Sequence, residues 1–168
     1  MSALVKNADI AFSKDQIRAL AAFWPVFANP QFVYEVRDEV KEKKGVITMP
    51  SSSLSSGAKA FNKMIYQEGW VLDGFDWPPQ TRPRPFSDVA PRRNEGPLTR
   101  WNWPEWAQTD EFKDLFSKPE ALAKASAHQL AKLLTALVRK ERFCEGTMAS
   151  ACSDGLLARI AQRAGALV

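Results

Sequence analysis

Seven prolines fall between Trp77 and Pro104, at positions 78, 79, 83, 85, 91, 97 and 104 of this 168-residue chain. Proline has no N–H to give a ladder, and in a helix its ring clashes with the carbonyl four residues back. Regular helix and central strand are therefore excluded across the middle of the sequence. The fold has to be assembled from what lies on either side, with 78–100 as a Pro/Arg-rich loop or arm within a single domain spanning 1–168. Connectors longer than about 12–15 residues without regular structure are usually functional or disordered.

The charge follows the same division. Residues 1–76 carry nine basic and nine acidic side chains and so balance. Residues 77–104 carry five arginines against Asp88 and Glu95, and residues 105–168 carry nine basic against eight acidic side chains. Most of the net charge of +4 thus sits in the proline-rich segment, and there it is all arginine. Arginine suits planar, bidentate contact with phosphate or carboxylate. Three of the six tryptophans share the segment. Trp and Arg are the residue types enriched at binding hot spots, and both stack on unpaired bases. Arg82, Arg84, Arg92, Arg93, Arg100, Trp101 and Trp103 are accordingly the candidate partner-binding residues. The bland alternative is a solvated loop whose tryptophans staple it to the core.

On the N-terminal side, Ser13-Lys-Asp-Gln16 has capping-box spacing, and Ile17, Leu20, Ala21, Trp24 and Phe27 recur at helical period, predicting a helix over 14–28. Phe32–Val36 and Gly45–Met49 are β-like runs joined by a charged connector and read as a hairpin. Pro50 and a Ser-rich turn then lead into a helix over 55–68, with Ala58, Phe61 and Ile65 on its face and Gly69 as its stop. Trp70–Leu72 is a candidate third strand. On the C-terminal side, Pro104 suits a first helical position before a helix over 105–116. Ser117-Lys-Pro-Glu120 and Ser126-Ala-His-Gln129 are two further capping boxes. The second opens a helix burying Leu130, Leu133, Leu134, Leu137 and Val138. Gly146 breaks the chain before a short helix, Ser153-Asp-Gly155 turns it, and Leu156, Leu157, Ile160 and Ala161 line a last helix. The class expected is α+β, predominantly helical, with about five helices packed on a small two- or three-stranded antiparallel sheet.

Leu133 to Gly155, reading LLTALVRKERFCEGTMASACSDG, with DGLLARI after it, resembles a family of small bacterial proteins known only as a domain of unknown function. Leu134, Thr135, Arg139, Arg142, Phe143, Gly146 and Gly155 match its signature, together with Asp76 and Trp77, or Trp103 and Trp106, for a tryptophan motif. The resemblance implies an N-terminal helix and a short sheet, and it supplies no reaction. Thr147 stands where relatives often have histidine, and the segment 78–100 is longer than theirs.

Several function classes are excluded or disfavoured. No GxxxxGK[ST] or GxGxxG cradle is present. His128 is the single histidine, placed at the start of a helix where exposure is expected, and a multi-His metal site is impossible. Cys144 and Cys152 form no metal pattern and read as reduced thiols in a cytoplasmic setting. No apolar run reaches the roughly 20 residues that cross a bilayer, and the N-terminus lacks the pattern of a signal peptide. No cofactor is expected.

Arg139, Glu141, Arg142 and Glu145 are either ion pairs along a helix end or an anion or partner site. Asp76 could join them in a small enzyme acting on an anionic substrate. Residues 147–164 fit a helix-turn-helix pattern, with Ala151 and Leu156 inward and Arg159, Gln162 and Arg163 as candidate nucleic-acid contacts. The leading expectation is a non-enzymatic accessory protein docking on a protein or nucleoprotein partner through the Arg/Trp segment. Such a protein could be an inhibitor or belong to a mobile element.

Overall fold

A computed structural model describes residues 11–37, 42–43, 45–47, 51–72 and 103–168. Its helices are α1 (Lys14–Ala21), α2 (Trp24–Ala28), α3 (Ser56–Gln67), α4 (Trp103–Trp106), α5 (Asp110–Ser117), α6 (Pro119–Leu122), α7 (Ala127–Glu141), α8 (Thr147–Ser153) and α9 (Leu156–Gly165). Its strands are β1 (Glu35–Arg37), β2 (Glu42–Lys43), β3 (Val46–Ile47) and β4 (Ser52–Leu54). The molecule is α+β and mostly helical, with small antiparallel strand pairs.

The Ser13 box forms, with Gln16 N–H donating to Ser13 Oγ and Ser13 N–H to Gln16 Oε1. The helix expected over 14–28 nevertheless divides at 22–23, because Pro25 would press its ring on the Ala21 carbonyl of a continuous helix. The hairpin is also re-paired. Glu35 faces Leu54 and Arg37 faces Ser52, so the stretch expected to turn is strand β4. Val46–Ile47 pairs instead with Glu42–Lys43 across a tight turn at Gly45. Trp70–Leu72 is not a strand. Trp70 is fully buried, stacks on Phe12 at 4.3 Å between centroids and donates its indole N–H to the Gln16 carbonyl.

The helix expected over 105–116 divides too. Thr109 caps α5 by accepting the Phe112 N–H, and Asp110 and Glu111 fill its first turn, where carboxylates favour the helix dipole. The Ser117 box does not form: Ser117 Oγ donates back to the Lys113 carbonyl, and α6 starts from Lys118 with Pro119 in its first turn. The Ser126 box forms with both reciprocal bonds and opens α7. His128, expected at an exposed position, is buried at 8% exposure. The reason lies in the same turn, where Gln129 donates to Glu111 and holds α5 against α7.

The buried side chains form one cluster built around α7 and α9, with α9 packed on α1, α2, α6 and α8. Leu133, Leu134, Leu156, Leu157 and Ile160 are all at most 1% exposed. Each such side chain contributes about 1.5–3 kcal/mol by leaving water. The N-terminal half joins this core through Phe61 and Ile65 of α3 and through Phe27 of α2, whose ring meets Phe61 edge-on at 4.8 Å.

A candidate binding cleft at the α7–α8 junction

The chain passes from α7 to α8 through a turn that Glu141 organises. Its two carboxylate oxygens accept the backbone N–H groups of Gly146 (2.9 Å) and Met148 (2.6 Å). These are donors at the start of α8 that no helical carbonyl can reach. Gly146 sits at φ +87°, in the left-handed region where a side chain would be strained. Thr147 donates its hydroxyl to the Cys144 carbonyl at 2.7 Å.

With Glu141 so engaged, the expected ion pairs do not form. Among the described residues no salt bridge joins Arg139, Arg142 and Glu145; Arg142 and Glu145 are exposed and Arg139 is half-buried. Arg142 and Glu145 line the mouth of a cleft of about 370 Å³. Leu54, Val138 and Met148 supply apolar wall, while Tyr34, Asn62 and Tyr66 add hydrogen-bonding and aromatic groups. Tyr34 is 4% exposed and donates its hydroxyl to Asn62 Oδ1 at 2.9 Å. Burial, reinforced by the charge of Glu141, pushes its phenol well above the ordinary tyrosine value. Tyr34 therefore stays a neutral donor. Ser52 Oγ approaches Glu145 Oε1 at 3.5 Å and ties β4 to the junction.

The ladder aims polar backbone outward. Ser55 N–H donates to the Tyr34 carbonyl at 3.0 Å, so Val36 and Ser53 form the next hydrogen-bonded pair. The N–H and C=O groups of Ser52 and Leu54 then point to the edge of β4 away from β1, and both residues line the cleft.

A second cleft, of about 580 Å³, opens on the other side of Tyr34 and Glu35, between Phe27, Phe32, Arg37 and Cys152. Burial raises the Cys152 thiol. Cys144, by contrast, is exposed, and both are free thiols.

The structure brings Arg142 and Glu145 together at one cleft and leaves Arg139 outside its lining. Asp76, Trp77, Arg82, Arg84, Arg92, Arg93, Arg100 and Trp101 lie outside the described residues. Trp103 begins α4, and Trp106 at its end is fully buried, its indole N–H donating to Glu111 Oε2 at 2.8 Å. Ala151 and Leu156 are buried as the helix-turn-helix pattern asks, and Gly155 turns the chain at φ +74°. Gln162 is exposed. Arg163 directs Nε to the Ala125 carbonyl at 2.8 Å, and Arg159 directs Nη1 to the Asp154 carbonyl at 3.2 Å.

Sequence reasoning missed Tyr34, Ser52, Asn62, Tyr66 and the capping role of Glu141. Asn62 and Tyr66 are four apart, beside the buried stripe Ala58–Phe61–Ile65, so a polar edge along an apolar face was the available signal. Glu141 precedes a glycine and a short helix, a place where a carboxylate meets unpaired N–H groups.

Among the described residues no three His, Cys, Asp or Glu side chains gather as a metal site, and no helix is long and apolar enough to cross a membrane. No curated protein and no solved structure matches the chain. The model of a family of unknown function, DUF6508, matches residues 12–94 and 89–168, two stretches that meet inside the proline-rich segment. The chain belongs to the DUF6508 family.

Proposed function

We propose that this is a cytoplasmic, non-enzymatic accessory protein that docks on a macromolecular partner. It would dock through the Arg/Trp-rich segment and through the cleft at the α7–α8 junction. The observation that carries this reading is the cleft itself: an apolar wall beside a buried Tyr34–Asn62 hydrogen bond, with Arg142 and Glu145 at its mouth and not paired with each other. Charged side chains without an ion-pair partner within the fold are open to one outside it. Arg82, Arg84, Arg92, Arg93, Arg100, Trp101 and Trp103 would extend the surface with the residue types that dominate binding energy. A role as inhibitor or mobile-element protein is one form of this activity.

The rival reading, DNA contact through Arg159, Gln162 and Arg163, draws less support from the geometry. Two of the three side chains donate to carbonyls of their own chain, at Ala125 and Asp154. Affinity capture from lysate, with and without nuclease, tests the proposal. The wild type is compared with a variant in which Arg82, Arg84, Arg92 and Arg93 are alanine. The expected result is a nuclease-resistant partner lost from the variant. Unchanged capture removes the arm from the surface. Capture abolished by nuclease turns the reading to nucleic acid, for which a gel shift should weaken steeply with salt.

A further inference from the structure

The lining of the α7–α8 cleft has a definite sign. Glu35, Glu141 and Glu145 face a single arginine, Arg142. Glu141 is occupied by the Gly146 and Met148 N–H groups, which leaves Glu35 and Glu145 as carboxylates available to a visitor. Glu35 stands opposite Leu54 in the β1–β4 register, and directly opposed residues of an antiparallel pair share a face. Glu145 reaches the same region from the junction and lies near Ser52. An anionic group entering here would meet two carboxylates that have no ion pair among the described residues, for one guanidinium. A cationic group meets the reverse.

The remaining walls suit a cation on a long aliphatic stem. Leu54, Val138 and Met148 offer apolar surface, and Tyr66, half-exposed on α3, offers a ring face at the rim. Lysine and arginine bury their methylene stems against apolar surface while the head stays with polar partners, and either head is attracted to an aromatic face. The outward N–H and C=O groups of Ser52 and Leu54 supply what an extended backbone needs beside such a side chain. The volume, about 370 Å³, is that of a pocket for one or two side chains rather than a folded element.

We infer that the cleft receives an extended segment of a protein partner that presents an arginine or lysine side chain, its stem on Leu54, Val138 and Met148 and its head between Glu35 and Glu145. This rests on the partner-docking reading above and names the chemistry of the partner at this one site. Arg37, exposed on β1 and lining the neighbouring cleft, and Arg142 at the mouth are cations that oppose it. They set the selectivity: a segment with an acid beside its basic residue gains a partner in Arg142.

The test uses the full chain labelled with nitrogen-15 and capped tripeptides, acetyl-Leu-Arg-Leu-amide and its lysine, citrulline and glutamate counterparts. Citrulline keeps the shape of arginine without its charge. Saturable shifts are expected at the Asn62 side-chain amide and at the Ser52–Leu54 and Glu145 amides, for the arginine and lysine peptides. Glu35→Gln and Glu145→Gln should each weaken binding about two- to fivefold, the range of a partly exposed ion pair. Arg142→Ala should leave it unchanged or tighten it. Equal binding of the citrulline peptide, tightest binding of the glutamate peptide, or no saturable shift with any of them overturns the inference. Loss of capture in the four-arginine variant, with no peptide binding at the cleft, would keep the docking reading and sink this one. Peptide binding together with unchanged capture would keep this inference and take the arginine segment out of the contact surface.

Discussion

At the scale of single residues, Thr135 of the C-terminal signature is part of the scaffold. Thr135 is fully buried; it accepts the Leu72 N–H at 2.9 Å and donates its own hydroxyl to the Ala131 carbonyl at 2.7 Å. It therefore fastens the end of the N-terminal half to α7, where the chain leaves for the proline-rich segment. Thr135→Val keeps the shape and strands the Leu72 N–H, so chemical denaturation should show a loss of about 1–3 kcal/mol. Thr135→Ser should recover most of it. Glu141→Ala removes the acceptor for two amides and should cost a similar amount, about 1–3 kcal/mol, with Glu141→Gln falling between because one oxygen remains. Gly146→Ala, forced into the left-handed region, should cost about 1 kcal/mol on the same measurement. Of these positions Thr135 and Gly146 were legible as signature residues, but their roles were not. Besides Ala131 in its own helix, the partners of Thr135 are Leu72 and the Trp70 carbonyl, more than sixty residues away, and only folding brings them near.

At the scale of elements, most helix starts could be read and most strand pairings could not. The Ser13 and Ser126 boxes formed because their glutamines sit three residues on and the apolar stripe follows at once. The breaks at 22–23 and 107–109 were missed because propensity favoured continuity, while Pro25 and the Thr109 cap decided otherwise. Register failed for a different reason. Strands of two and three residues carry too little alternation to choose a partner. The α4–α5–α7 contact has a pH signature of its own. Burial alone would raise the Glu111 carboxyl, but hydrogen bonds from Trp106 and Gln129 and the charge of Lys132, 3.5 Å away, bring it below its ordinary value of 4.5. A lowered folded value means the stabilisation is complete above 4.5 and is lost as pH falls through the folded value. Glu111→Gln should thus reduce stability at pH 7 and flatten its decline on the acid side, as thermal midpoints measured from pH 7 down to about 3 will show.

At the scale of the whole molecule, two compositionally different stretches flank an arginine-rich one, and both flanks contribute to one core and one cleft. The class, α+β and predominantly helical, was legible because the apolar stripes of α3, α7 and α9 are strongly periodic. The cleft was only half legible. Arg142 and Glu145 stood out as a charge cluster, but Tyr34, Ser52 and Asn62 come from the residue before β1, from β4 and from α3, and share no local motif. Hydrogen–deuterium exchange of the full chain, with and without its captured partner, tests whether partner docking uses this surface. Docking as proposed predicts protection in 52–54, 62–66, 142–146 and the 82–106 segment, with α9 unchanged. Protection confined to 156–165, or none at the cleft and the arginine segment, would place the contact elsewhere and overturn the proposed function.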